Sequence, residues 1–248
     1  MPAPGWLVAR PIAHRGLHDR ASGLVENTIG AARAAIVHGF AIECDVQLTS
    51  DLDAVVFHDF TLDRLTTATG RVADRTSAEL GALDVRNTTD RVPTLSAFLA
   101  AIDGRVPLIL EIKSAFDGDL RLARRTAEVV RAYPGPVALK SFDPDIVAAL
   151  RDLTPDHPRG IVGESRYEHA EWQVLPAARR HAMANLLHYP DSRPDFVSWQ
   201  VMDLQSAAPF LCRKAVGLPL MTWTVRTPDQ RALAAAGADQ MVFEGFVP

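Results

Sequence analysis

The stretch IECDVQL, residues 42–48, sorts acids from hydrophobes. A β-strand sends successive side chains to opposite faces, so Ile42, Cys44, Val46 and Leu48 share one face while Glu43, Asp45 and Gln47 share the other. The stretch PLILEIK, residues 107–113, repeats the pattern: Leu108, Leu110 and Ile112 fall on one face, with Ile109, Glu111 and Lys113 opposite. In a barrel of parallel strands the apolar faces pack under helices. The acids then point inward, near the C-terminal strand ends where such barrels place their active sites. Three unpartnered carboxylates this close would repel, and burial disfavours their charge. Oxygen ligands from Glu43, Asp45 and Glu111 would suit Mg2+ or Ca2+ far better than zinc. An ion-pair network with Lys113, Arg15 and Lys140 would neutralise them equally well, and the strand pattern favours neither.

Two histidines stand near these acids in the predicted topology. His14 and Arg15 lie in AHRG, where a strand meets a loop and Gly16 permits a sharp turn; His58 follows the extended run AVVF and precedes Asp59, which could orient it. A pair of imidazoles beside a cation can serve as general base and general acid, since imidazole titrates near neutral pH. The alternative is that each is a structural histidine. Lys113 and Arg15 add fixed positive charge, which suits an anionic substrate such as a phosphate. Trp223, in MTWTV, is expected to face the mouth, either walling a small polyol or packing as a core aromatic. His18, His38, His157, His169, His181 and His188 read mostly as surface residues.

The chain that must position these groups has 248 residues, 48% hydrophobic and 23% charged, enough to bury a large core. A net charge of -4 excludes the broad basic footprint of a nucleic-acid-binding protein. Strand-like runs at 9–13, 41–48, 107–112, 137–141, 159–163, 195–199, 219–225 and 239–243 alternate with helix-like text. That alternation predicts a closed (β/α)8 barrel, residues 1–248 forming one unit. Helix starts are marked by Thr94, by Asp143 with Pro144 and by Thr227 with Pro228; Gly39 and Pro134 mark stops. Residues 60–92 hold no long periodic segment and read as an excursion between the second strand and its helix. One helix is expected around VLPAARRHAMANLL. Cys44 and Cys212 have neither zinc-site nor disulfide spacing and read as buried hydrophobes in a reducing compartment. No secretory signal pattern and no run near the roughly 20 apolar residues of a membrane span is seen, so a cytoplasmic location is expected.

In order, AHRG, ENT (26–28), IECDVQLTSD, VVFHD, PTL, LEIK, SF and TWTV resemble the motifs of the glycerophosphodiester phosphodiesterase family, over about residues 10–244 and with greatest specificity before residue 115. The resemblance implies a (β/α)8 TIM barrel with a short insertion within 60–92 and a divalent metal, Mg2+ or Ca2+, on Glu43, Asp45 and Glu111. It implies that His14 and His58 are the acid/base pair, and that Arg15 and Lys113 bind phosphate. Glu26 and Asn27 would belong to the same mouth, with Asn27 reaching metal or phosphate and also capping the first helix. Leu52 stands where the family usually has Gly, and Glu244 where an Asp is common.

The implied reaction is metal-dependent hydrolysis of a glycerophosphodiester to glycerol 3-phosphate and an alcohol. One histidine would deprotonate the adjacent glycerol hydroxyl for attack on phosphorus, the other would protonate the leaving alcohol, and water would open the cyclic phosphate. Rival readings are a lysophospholipid hydrolase of the same fold, an enolate-forming metal barrel, and a non-catalytic binder of phosphorylated polyols.

Overall fold

A computed structural model of the protein describes residues 3–248. Its sheet contains β1 (Ile12–Ala13), β2 (Ala41–Leu48), β3 (Ala54–Val56), β4 (Leu108–Ile112), β5 (Val137–Ser141), β6 (Arg159–Gly163), β7 (Phe196–Gln200), β8 (Leu220–Val225) and β9 (Gln240–Phe243). Eight of these pair in parallel in the order β1-β2-β4-β5-β6-β7-β8-β9, and β9 returns to β1 through Ile12↔Val242 and Ala13↔Phe243. The result is the expected closed barrel. β3 lies outside it, antiparallel to β2 through Val46↔Val56. The run expected at 9–13 shortens to two residues, because Gly5–Val8 forms a 3-10 turn and Pro11 has no N–H for a ladder.

The helices are α1 (Ile29–Val37), α2 (Ser77–Gly81), α3 (Leu95–Ile102), α4 (Arg121–Arg131), α5 (Pro144–Leu153), α6 (Ala177–Ala184), α7 (Tyr189–Ser192), α8 (Ala207–Leu211) and α9 (Pro228–Gly237). Thr94, Asp143 and Thr227 cap α3, α5 and α9 with their side chains, as their positions predict. The cap of α1 is Thr28, accepting from the Ala31 N–H, and not Asn27, whose side chain is engaged elsewhere. α4 stops three residues before Pro134.

Three apolar layers explain why the chain closes. Ile42, Cys44, Val46, Leu108, Leu110 and Ile112 pack outward against Phe98 and Leu99 of α3 and Ala32 and Ala35 of α1. Each fully buried Leu, Ile or Phe contributes about 1.5–3 kcal/mol from removed apolar surface. Inside the barrel, Ile12, Ala41, Ile109, Ala138, Phe196, Met221 and Val242 form a plug closed from below by Leu7. Phe196 fits only because Gly160 lacks a side chain: a Cβ there would lie 2.3 Å from the Phe196 ring. Residues 60–92 bury a separate cluster, with Leu62, Leu65, Val72, Leu80 and Val85 packed against Val55 and Phe57.

Because strand side chains repeat every two residues, the inward position following each plug residue points into the mouth. Ile12 leads to His14, Ala41 to Glu43 and Asp45, Ile109 to Glu111 and Lys113, Ala138 to Lys140, Phe196 to Ser198, Met221 to Trp223, and Val242 to Glu244. An apolar floor thus carries a polar ceiling.

Candidate active site

Glu43, Asp45 and Glu111 are almost completely buried, and each offers an oxygen such that the three lie within 4.8 Å of one another. Register accounts for this: Asp45 stands opposite Glu111 in the β2–β4 pair, and Glu111 opposite Lys140 in the β4–β5 pair. Lys113 Nζ lies 2.8 Å from Asp45 Oδ1 and 2.6 Å from Glu111 Oε1, while Lys140 Nζ lies 3.0 Å from Glu43 Oε1 and 3.2 Å from Glu111 Oε2. Burial would raise the Asp45 carboxyl, but Lys113, His58 and Arg15 hold it well below the usual carboxylate range. Glu111, likewise opposed by burial, is drawn down to about 2 by Lys113 and Lys140. Both lysines stay charged: burial disfavours their ammonium groups, and the facing carboxylates more than offset it. The ion-pair network anticipated as one alternative therefore exists. Its three carboxylates also form an all-oxygen donor set of the sort that Mg2+ or Ca2+ takes.

Each of the two predicted histidines has a carboxylate on Nδ1. His14, following β1, lies 2.5 Å from Glu244 Oε2 through Nδ1 and 3.9 Å from Glu43 Oε2 through Nε2. His58 Nδ1 lies 2.7 Å from Asp59 Oδ1. The loop bearing this second pair is pinned from below, since Gln47 Nε2 donates to the backbone oxygens of His58 and Asp59. A neutral imidazole with its Nδ1 proton on a carboxylate presents a free lone pair at Nε2.

Arg15 adopts a left-handed backbone, with φ of 55°, so that its N–H reaches Glu43 Oε2 at 3.2 Å. Its guanidinium donates to Glu26 Oε1 at 2.6 Å, while its buried Nε, 3.4 Å from Asp45 Oδ2, has no hydrogen-bond partner. Asn27 Nδ2 donates to Asp45 Oδ2 at 2.9 Å, and its Oδ1 accepts from the Asp45 N–H at 3.2 Å. Burial works against the Glu26 carboxylate, but Arg64 and Arg15 bring it down to about 2. Trp223 is partly buried above the plug; its Nε1 donates to the Ser198 carbonyl at 3.0 Å, and its ring meets Phe142 edge-on at 5.5 Å. All the site residues expected from sequence are thus gathered at one end of the barrel.

Two assignments change. His18 is not a surface residue: its side chain is 16% exposed and lies 3.8 Å from Glu244 Oε2, beside His14. His188 is also substantially covered, its Nδ1 2.9 Å from the Ser192 hydroxyl, and burial lowers its pKa to about 4. Arg64 carries no signal in the sequence that marks it as a site residue. It donates to both oxygens of Glu26 at 2.8 Å and to Asp59 at 2.6 and 2.9 Å, joining the His58 loop to the Arg15 side of the mouth. No spacing rule selects it. Glu244, by contrast, is legible as the inward position after Val242.

The sequence pattern that defines the glycerophosphoryl diester phosphodiesterase family matches residues 14–244, a span that runs from His14 to Glu244. The chain belongs to this family. It is 29% identical over 242 residues to the glycerophosphodiester phosphodiesterase of Caldanaerobacter subterraneus subsp. tengcongensis, covering 93% of this chain and 92% of that one. It is 27% identical over 250 residues to human glycerophosphodiester phosphodiesterase 1, covering 89% and 73%. The fold superposes on an Oleispira antarctica phosphodiesterase solved with the product sn-glycerol-3-phosphate, with a TM-score of 0.77 and 22% identity over 96% of this chain and 93% of that one. Among the described residues, no helix is long and apolar enough to cross a membrane.

Proposed function

We propose that this family member hydrolyses glycerophosphodiesters to glycerol 3-phosphate and an alcohol, with His14 and His58 as the acid/base pair. The observation that carries this reading is the pair of imidazoles, each fixed through Nδ1 by its own carboxylate, beside a buried group of three acids. In the reaction, one Nε2 takes the proton of the glycerol hydroxyl adjacent to the ester, and the resulting oxygen attacks phosphorus. The second imidazole donates its proton to the departing alcohol oxygen. Water then opens the cyclic phosphate with the two histidines in exchanged roles. The unpartnered Nε of Arg15 suits a phosphoryl oxygen, as does the Lys113 ammonium.

Glu43, Asp45 and Glu111 would hold Mg2+ or Ca2+, which would supply charge neutralisation and acidify the attacking hydroxyl. Glu26 and Asn27 fix the positions of Arg15 and Asp45, and Trp223 walls the glycerol unit. The two free, buried cysteines fit a reducing compartment, consistent with a cytoplasmic enzyme.

A larger substrate has one feature in its favour: Phe60, directly after the His58-Asp59 pair, is 51% exposed and offers an apolar lip for a lysophospholipid chain. The test is release of glycerol 3-phosphate from glycerophosphocholine and glycerophosphoethanolamine, with EDTA and then with Mg2+ or Ca2+ restored, beside a lysophosphatidylcholine arm. Metal-dependent release from the small diesters is expected. Turnover of the lysolipid alone would move the assignment to the larger substrate, and silence with every substrate would leave a binding protein.

A further inference from the structure

A second group of potential metal ligands stands beside the three acids. His14, His18 and Glu244 each offer a ligand atom within 4.8 Å of the others. The chain reverses at Gly16, where φ is 83° and a Cβ would meet the Ala31 backbone at 2.9 Å, and the His18 N–H closes the turn on the Gly16 carbonyl at 3.0 Å. That turn aims His18 at the same oxygen that His14 uses. Glu244 Oε1 receives Arg226 Nε at 2.8 Å, which leaves Oε2 to the two imidazoles. His18 Nε2 is buried and has no hydrogen-bond partner, a polar atom with nothing yet to satisfy it.

We propose that His14, His18 and Glu244 form a second cation site, selective for zinc-like ions, whose occupation switches the enzyme off. Two imidazole nitrogens and one carboxylate oxygen match a zinc site with its fourth position open to water, whereas the neighbouring all-oxygen set does not attract zinc preferentially. The inhibitory consequence rests on the acid/base reading of His14. For His14 to act as a base, its ring proton must sit on Nδ1 toward Glu244, leaving the Nε2 lone pair available. A cation bound at Nδ1 displaces the proton from that nitrogen, and the neutral ring then carries its one proton on Nε2. His14 can then neither accept a proton there nor release one readily.

The test uses the full chain with saturating Mg2+. Zn2+ is expected to inhibit glycerol 3-phosphate release from glycerophosphocholine. In His18→Ala the uninhibited rate should stay near wild type, because the direct contacts of His14 and Arg226 still hold the Glu244 carboxylate in place, and the half-inhibiting Zn2+ concentration should rise at least about tenfold. Co2+ added to the Mg2+-loaded wild type should give the visible absorption of a low-coordinate nitrogen-ligated ion, and His18→Ala should lack it. Equal inhibition of both proteins, relieved by more Mg2+, would place zinc on the three acids and overturn the proposal, as would identical Co2+ spectra. A chain inactive on all diesters but showing the His18-dependent spectrum would keep the site and sink the functional reading.

Discussion

Glu244 Oε2 lies 2.5 Å from His14 Nδ1, although 230 residues separate them in the chain. The contact follows from barrel closure: Ala13 pairs with Phe243, so the residues that follow β1 and β9 emerge side by side. Burial opposes the Glu244 carboxylate, but His14, His18 and Arg226 hold it well below the usual range, so it stays charged, and a charged carboxylate at this distance accepts an Nδ1 proton.

Replacing Glu244 by Gln should therefore lower kcat by roughly 10²–10⁴, because an amide can donate to Nδ1 and drive the proton to Nε2. Glu244→Asp should recover part of the rate. Steady-state kinetics on glycerophosphocholine check this, and a glutamine variant with wild-type kcat would remove Glu244 from any role in orienting His14.

His14→Ala and His58→Ala should each reduce kcat by about 10²–10⁴. Neither side chain belongs to the apolar layers, so the thermal midpoint should hardly move. Rapid turnover by either variant would take that residue out of the proposed mechanism.

Lys140→Met should cost about 3–5 kcal/mol, since Glu43 and Glu111 would be left buried without their shared partner. If the three acids bind a cation, Mg2+ or Ca2+ should restore much of the lost stability. Chemical denaturation with and without the metal measures both effects; a variant insensitive to metal would argue for the ion-pair role alone.

Glu164 follows β6 at the mouth, and its Oε1 has no hydrogen-bond partner. Burial raises its pKa from 4.5 to about 7, with His169 and Trp172 offsetting little of the shift. The folded state therefore binds this proton more tightly than the unfolded chain. Its contribution is fully present below the unfolded value near 4.5 and is lost as pH rises through about 7. Melting temperature should fall across that window, by roughly 2–4 °C per kcal/mol lost, and Glu164→Gln should flatten the decline. Parallel slopes for the two proteins would contradict it.

Leu52 occupies a left-handed turn, φ 63°, with half its surface exposed. The strain of about 1–2 kcal/mol at least matches the entropy of roughly 0.5–1 kcal/mol that glycine adds to the unfolded chain, so Leu52→Gly should stabilise the protein by up to about 1.5 kcal/mol. A loss of stability on urea unfolding would mean that the Leu52 side chain contributes packing which outweighs the turn.

Local rules made much of the molecule readable in advance. Period-two alternation placed Glu43, Asp45, Glu111 and Lys113 on inward faces, and the Asp143-Pro144 and Thr227-Pro228 pairs marked helix starts; both signals act within a few residues. The same locality linked His58 to its neighbour Asp59. Asn27 shows the limit: one residue from the true cap, it was drawn into hydrogen bonds with Asp45 on another strand.

The chain's own alternation thus determined the class of fold and the types of residue that reach the mouth. Tertiary structure alone decided the partners that are remote in the chain. Strand register put Lys140 between Glu43 and Glu111, the folded 60–92 segment brought Arg64 to Glu26 and Asp59, and closure set His14 and His18 around Glu244. Side-chain direction depends on backbone period and is written locally, whereas ion pairing depends on distances that exist only once remote strands have been brought into register.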